Sequence, residues 1–267
     1  ELIQTLNLNE NEIKDLQKNY FSIFPNLERL IRNLKLFDIN EIFECLQELD
    51  MSDNEIKELQ KNYFKIFPNL VKLNLSRNSI EKIDKEAFNA VLNLREVDLS
   101  GNKIKKELIS SLVCLEQLEI LNLSANQIVT KSKEDELSML SRFATLKDLN
   151  LSANKISDLG NVFIQEQTSL LGLDLSQTDI NEQVFEQIKM LVSLKKLNMS
   201  SNKHLKKLDQ SFFDKLTNLE ELDLSENELT SDDFYSDENK KVFILKNQSN
   251  LKILRLSNNK INYDFIK

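Results

Sequence analysis

Apolar residues return along this chain in one eleven-residue arrangement, L-x-x-L-x-L-x-x-N-x-I, over nearly its whole length. Copies run Ile3–Ile13, Leu46–Ile56, Leu70–Ile80, Leu94–Ile104 and Leu118–Ile128, then Leu146–Ile156, Leu170–Ile180, Leu219–Leu229 and Leu251–Ile261. Leu194–His204 keeps the arrangement except for its last apolar residue. Stretches such as Leu73-Asn74-Leu75 and Leu121-Asn122-Leu123 alternate with the period of two of a strand that buries one face, so each copy predicts one short strand. The fourth-position residues, Leu49, Leu73, Val97 and Leu121 among them, lie mostly 24 residues apart. That interval leaves room for a turn, a return segment and a second turn, and equal intervals stack the strands in parallel. Asn54, Asn78, Asn102, Asn126 and Asn154 recur at the ninth position, where an amide can bond backbone groups of its own turn and of the next, beyond the reach of water.

The return segments carry a second apolar signal, as in Ile83, Phe88, Val91 and Leu94 or Leu208, Phe213, Leu216 and Leu219. Their spacing predicts a helical or irregular layer whose phenylalanines stack between coils. These residues together resemble the leucine-rich-repeat family, and in particular its 24-residue subclass with Phe in the return. The resemblance implies an α/β solenoid: a right-handed horseshoe with a parallel concave β-sheet and a convex layer of short helices and irregular turns. It covers residues 1–267 as a single solenoid of about eleven repeats, apparently without a terminal cap at either end.

Three places depart from the repeat. The segments Asn11–Leu27 and Asn54–Leu70 differ at only two positions, so a 43-residue block has been duplicated. The coil between them is degenerate, with Arg32 where an inward Leu is expected, Lys35 where Asn is expected, and only nineteen residues from Leu30 to Leu49. One register exposes Ile31 and Leu34 on the concave face, and another turns Ile31, Leu34 and Leu36 inward as core. Two return segments are long. The first predicts a convex helix striped by Leu137, Met139 and Leu140. The second predicts an acidic loop carrying Phe234 and Tyr235, then a short helix through Val242, Phe243 and Leu245.

Composition narrows the function. Only three glycines and two prolines occur, which argues against glycine-rich phosphate loops and leaves the asparagines to turn the chain. A formal charge of −8 argues against a nucleic-acid footprint or a polybasic membrane patch. No apolar run approaches the ~20 residues that span a bilayer, and no targeting segment opens the sequence. Cys45 and Cys114 are too few for a disulfide framework and lie about three coils apart, about 14 Å at strand spacing, so free thiols are expected. The sole histidine, His204, sits at a one-residue insertion with Leu205 as the expected core replacement. No nucleophile, second histidine or metal-ligand pair accompanies it, so the expectation is no enzyme, no metal and no cofactor.

What remains is a protein–protein interaction scaffold that binds through its concave face and its long return loops. The outward residues nominated for contact are Lys72, Asn74, Arg77, Arg95, Asp98 and Asn122, then Lys147, Asn150 and Asp174. Lys195, Lys196, Asn198, Glu221, Asp223 and Arg255 follow, with Phe234 and Tyr235 as loop candidates and serine recurring at the seventh position. This polar, mixed-charge surface suits a protein partner better than a small molecule, which needs an apolar pocket. A ligand-recognition fragment of a secreted or cell-surface protein is the alternative, supported by N-x-S sequons, of which four of five arise from the repeat itself. Regulation of a small GTPase is a third reading. Cysteine usage tips the balance toward a cytoplasmic setting, and oligomeric state stays open.

Overall fold

A computed structural model gives the architecture for residues 4–14, 43–130, 137–160, 169–178, 180–203, 205, 208, 210–235 and 243–262. The degenerate coil around Leu30–Leu36 and His204 lie outside the described residues. The chain divides into two compact units, Glu1–Gln127 and Ile128–Lys267.

In the first unit each repeat contributes a three-residue strand: β1 (Thr5–Asn7), β2 (Glu48–Asp50), β4 (Lys72–Asn74), β6 (Glu96–Asp98) and β7 (Ile120–Asn122). They pair in parallel in that order, each residue opposite its counterpart in the next repeat, so Leu49 faces Leu73, Leu73 faces Val97 and Val97 faces Leu121. Two shorter strands, β3 (Glu58–Leu59) and β5 (Lys82–Ile83), pair across the return side, and a 3-10 helix spans Lys106–Leu112.

The second unit repeats the plan. Strands β9 (Asp148–Asn150), β11 (Gly172–Asp174), β12 (Lys196–Asn198), β13 (Glu221–Asp223) and β14 (Ile253–Arg255) pair in parallel and in register. On the return side β8 (Val129–Thr130) pairs with β10 (Lys155–Ile156), and α1 (Glu182–Ile188) and α2 (Gln210–Phe213) are its helices. Asn181 caps α1 by accepting from the Val184 N–H, as an N-cap residue should. The expectation of a parallel sheet with a thin layer of short helices and turns holds.

The central residue points into the core in every three-residue strand except the first and last, where Leu6 is half-buried and Leu254 is exposed. Leu49, Leu73, Val97, Leu121, Leu149, Leu173, Leu197 and Leu222 are each at most 3 % exposed. Burying one such side chain contributes roughly 1.5–3 kcal/mol. Because successive strands repeat the arrangement, that stabilisation accumulates coil by coil.

The asparagine ladder forms as the spacing required. Asn78 Nδ2 donates to the Leu75 carbonyl of its own coil at 3.0 Å and to the Met51 carbonyl of the preceding coil at 2.9 Å. Its Oδ1 accepts from the Ile56 N–H of the preceding coil at 3.0 Å. Asn102 and Asn126 repeat the pattern. One planar amide thus satisfies donors and acceptors on two coils at once, at 8 % exposure or less for Asn54, Asn78 and Asn102. In the repeat that carries Thr178, the hydroxyl can donate only once, to the Leu175 carbonyl, and Asn202 of the next coil accepts from the Thr178 and Ile180 N–H groups.

The amides do not turn the chain unaided. The residue just before each ladder position, whether amide or Thr178, adopts a left-handed conformation: Asp53, Arg77, Ala125, Ala153, Gln177, Ser201, Glu226 and Asn258 have φ between 50° and 57°. Only Gly101 fills that position with glycine. These side chains tolerate a strained φ because the ladder bonds on either side fix the turn.

Phenylalanines stack between coils as expected, although not continuously. Phe43 meets Phe67 edge-on at 5.2 Å, Phe64 stacks on Phe88 at 5.5 Å, and Phe185 meets Phe212 at 4.8 Å. In the coil after Phe88, Ile109, Leu112 and Leu115 fill the layer instead.

Both long returns need correction. Where a convex helix was expected around Leu137–Leu140, the described residues form a 3-10 helix, Ser138–Arg142. In the second, Ser231–Phe234 is a 3-10 helix opened by a capping box between Thr230 and Asp233, and the described residues after Phe243 form turns, not a helix. Phe234, expected at a loop tip, is fully buried and stacks on Phe243 at 6.3 Å; the capping box turns the segment inward and delivers the ring to the core. Tyr235 is half-buried and meets Phe243 edge-on.

Candidate functional site

The strands between the first and the last of the sheet send their central side chains inward and their flanking side chains outward, and register aligns the outward positions of successive repeats into columns. Neighbours within a column sit close enough to pair.

The column that follows the central leucine is mainly structural. Asn74, Asp98, Asn122, Asn150, Asp174, Asn198 and Asp223 each accept, through Oδ1, the N–H of the serine two residues on, at 2.8–3.1 Å. These are Asx turns, and they fold the chain out of its strand. Asn122 Nδ2 also donates to Asp98 on the neighbouring strand, and Asn198 Nδ2 to Asp174, both at 3.0 Å. All seven side chains are half-buried. Three of the seventh-position serines are drawn into the turn, Ser52, Ser76 and Ser225 being 8 % exposed or less, whereas Ser257 is exposed. Arg255 stands in the same column on β14 and is exposed.

The columns before the central leucine carry the available charge. In the first unit Lys72 lies between Glu48 at 3.8 Å and Glu96 at 3.4 Å, and Arg95 pairs with Glu119 at 2.6 Å. At the turn position Arg77 binds Asp53 through both its Nε and a terminal nitrogen. That guanidinium holds the Asp53 carboxyl below the usual carboxylate range. In the second unit the polarity reverses. Glu220 lies between Lys195 at 3.2 Å and Lys252 at 2.6 Å, and Glu221 between Lys196 at 3.1 Å and Arg255 at 3.9 Å. Lys252 first and Lys195 second hold the Glu220 carboxyl low. Lys147 and Asp148 are exposed beside Gly172, where a β-carbon would collide with the Asp148 carboxylate.

The sequence reading nominated the cations of these columns and missed Glu48, Asp53 and Glu119. Opposite charges at the same repeat position in consecutive repeats would have found them. No group of three or more histidine, cysteine or acidic side chains fit to hold a metal ion occurs among the described residues. Cys45 and Cys114 are free thiols, both half-buried, and burial pushes the Cys114 thiol up. No helix among the described residues is long and apolar enough to cross a membrane.

The sequence profile of the leucine rich repeat matches residues 44–104, 68–128 and 192–235, and a second leucine rich repeat profile matches residues 144–162. A search of curated protein sequences finds no match. Among solved structures the chain resembles internalin C2 of Listeria monocytogenes, with a TM-score of 0.64 and 20 % identity over 94 % of this chain and 100 % of that one. It also resembles the leucine-rich repeat domain of APL1B, with a TM-score of 0.63 and 22 % identity over 97 % of this chain and 69 % of that one. The chain in the TLR13–ssRNA13 complex is similar at a TM-score of 0.59 and 23 % identity, and 82 % of this chain covers 34 % of its length.

Proposed function

The chain belongs to the leucine-rich-repeat family, and from that premise we propose that it takes a protein partner on the exposed face of its strands. The family's repeats are non-enzymatic interaction and recognition modules, and the side chains on this face have no arrangement that performs chemistry. One observation carries the reading: charged side chains stand in columns on the sheet face of both units, held by cross-strand pairs and by Asx turns beneath them. Such a surface is pre-ordered, so a partner pays little to fix it.

The partner class follows from charge. One similar chain was solved with single-stranded RNA, but this protein is net negative and the carboxylates of Glu220 and Glu221 stand between the cations of its sheet face, which opposes a phosphate backbone. A protein surface can match interleaved charges of both signs. The same eleven-residue pattern runs through both units, which supports reading the chain as one array of repeats.

The test compares partners captured from lysate by the intact protein and by a Lys195→Glu, Lys196→Glu double variant that keeps its thermal unfolding profile. The expected outcome is loss of at least one partner captured by the intact protein. Identical capture by both would remove this face from the function.

A further inference from the structure

We infer that the exposed face of β12, β13 and β14 receives an acidic segment of a partner protein, lying across the strands in polyproline II conformation with a carboxylate at every third residue. The inference rests on the reading of this face as a protein-binding surface, and it names the chemistry and spacing of what binds.

Register places Lys195, Glu220 and Lys252 in one row across the three strands and Lys196, Glu221 and Ile253 in the next. In the third row Asp223 lies beside Arg255. The cations therefore stand on the two outer strands and the carboxylates on the middle one. Each glutamate is shared by two cations. Depth separates the signs as well: the side chains of Lys195, Lys196, Lys252 and Arg255 are 50–71 % exposed, whereas those of Glu220 and Glu221 are 29 % and 31 % exposed. An ammonium group has three donors and a guanidinium five. Among the described residues each of these cations is paired with a single recessed glutamate, which leaves further N–H groups on an exposed side chain. The outermost atoms of the face are thus donors for oxyanions, set on the two outer strands.

Spacing decides which acidic segment fits. Within each row, the positions on β12 and β14 are two strand spacings apart, about 9.6 Å. Polyproline II returns to the same side every third residue, about 9.3 Å along its axis. A β-strand returns after two residues, about 6.7 Å, and neighbouring side chains on one helix face lie only about 5–6 Å apart. Polyproline II is the geometry whose successive acidic side chains meet the cations on the two outer strands. The residues between them pass over Glu220 and Glu221 and must be uncharged or basic. A nucleic acid meets neither condition, since its phosphates would also lie over the carboxylates of β13.

The first unit offers an internal contrast, because there Lys72 stands between Glu48 and Glu96 and the pattern of signs is inverted.

The experiment titrates the whole protein into fluorescently labelled peptides at low salt and reads anisotropy. The probes are a four-repeat Glu-Pro-Pro peptide, a peptide of the same composition with its four glutamates contiguous, and a Lys-Pro-Pro counterpart. The Glu-Pro-Pro repeat is expected to saturate, and Lys252→Glu or Lys195→Glu to weaken it by about threefold to tenfold per reversal. Lys82→Glu, on the return strand β5, should leave it unchanged. Lys252→Gln, which removes a charge without adding one, provides the same reading should a reversal unfold the protein. Equal binding of the contiguous peptide would overturn the spacing. No saturation, indifference to Lys252→Glu and Lys252→Gln, or tighter binding of a single-stranded oligonucleotide with the same variant dependence would overturn the inference. If the Lys195→Glu, Lys196→Glu variant loses a captured partner while the peptide fails to bind, the protein-binding reading stands and the acidic-segment inference falls.

Discussion

At the scale of single residues, stability rests on side chains that substitute for backbone. Asn102 bonds the Leu75 and Leu99 carbonyls and the Ile80 N–H from a site only 6 % exposed. Asn102→Ala leaves the Ile80 N–H without its acceptor, while the Leu75 and Leu99 carbonyls keep the Asn78 and Asn126 amides, so the loss should be about 1–3 kcal/mol, the cost of one buried unpaired group. Urea unfolding monitored by circular dichroism measures it. The turn residues point the other way. Ala125 has φ of 50° and is exposed, so Ala125→Gly removes left-handed strain and should raise stability by up to about 1 kcal/mol, which the same titration reads. Asparagine spacing was legible from sequence because every copy repeats it. The left-handed residue was not, because its identity changes from Asp to Arg to Ala while its backbone does not.

At the scale of elements, the strands are too short to be stable singly and are stabilised by their neighbours through register. Register also makes the charged columns, and these give the face its pH dependence. The Glu220 carboxyl is held low in the folded protein, so folding is favoured while Glu220 is ionised. That contribution is present above the ordinary carboxylate range and is lost as pH falls through the lowered value. Chemical unfolding from neutral to acid pH should therefore show a steeper loss for the wild-type protein than for Glu220→Gln, which has no carboxylate to titrate there. Salt should diminish the difference, since these groups are exposed. The return layer was less legible than the strands. Phe234 read as a loop aromatic because the acidic residues around it suggested solvent, and only the capping box between Thr230 and Asp233 turned the ring inward.

At the scale of the whole molecule, each coil within a unit contacts chiefly the coils before and after it, and cooperativity passes from coil to coil through those interfaces. A lesion should therefore be felt locally first. In Asn102→Ala, amide hydrogen exchange is expected to accelerate at β4, β6 and β7 before it does at β12 and β13. Uniform acceleration across all five strands would show instead that the protein opens only as a whole.

The sequence by itself determined the family, the strands, the inward leucines and the asparagine ladder. A repeated pattern reports local geometry, and ten copies of the eleven-residue pattern leave one register that satisfies them all. Which outward side chains are free for a partner was decided only by the tertiary structure. Asn74, Asp98, Asn122 and Asp223 looked as available as Lys195 or Lys196, and became turn caps once the chain bent two residues after each of them. Glu220 and Glu221 became recessed partners of four cations only when β12 and β14 arrived on either side. The physical reason is that period and spacing are encoded locally, whereas the depth and pairing of the charged side chains depend on residues 24 or more positions away, brought together by the stacking of coils.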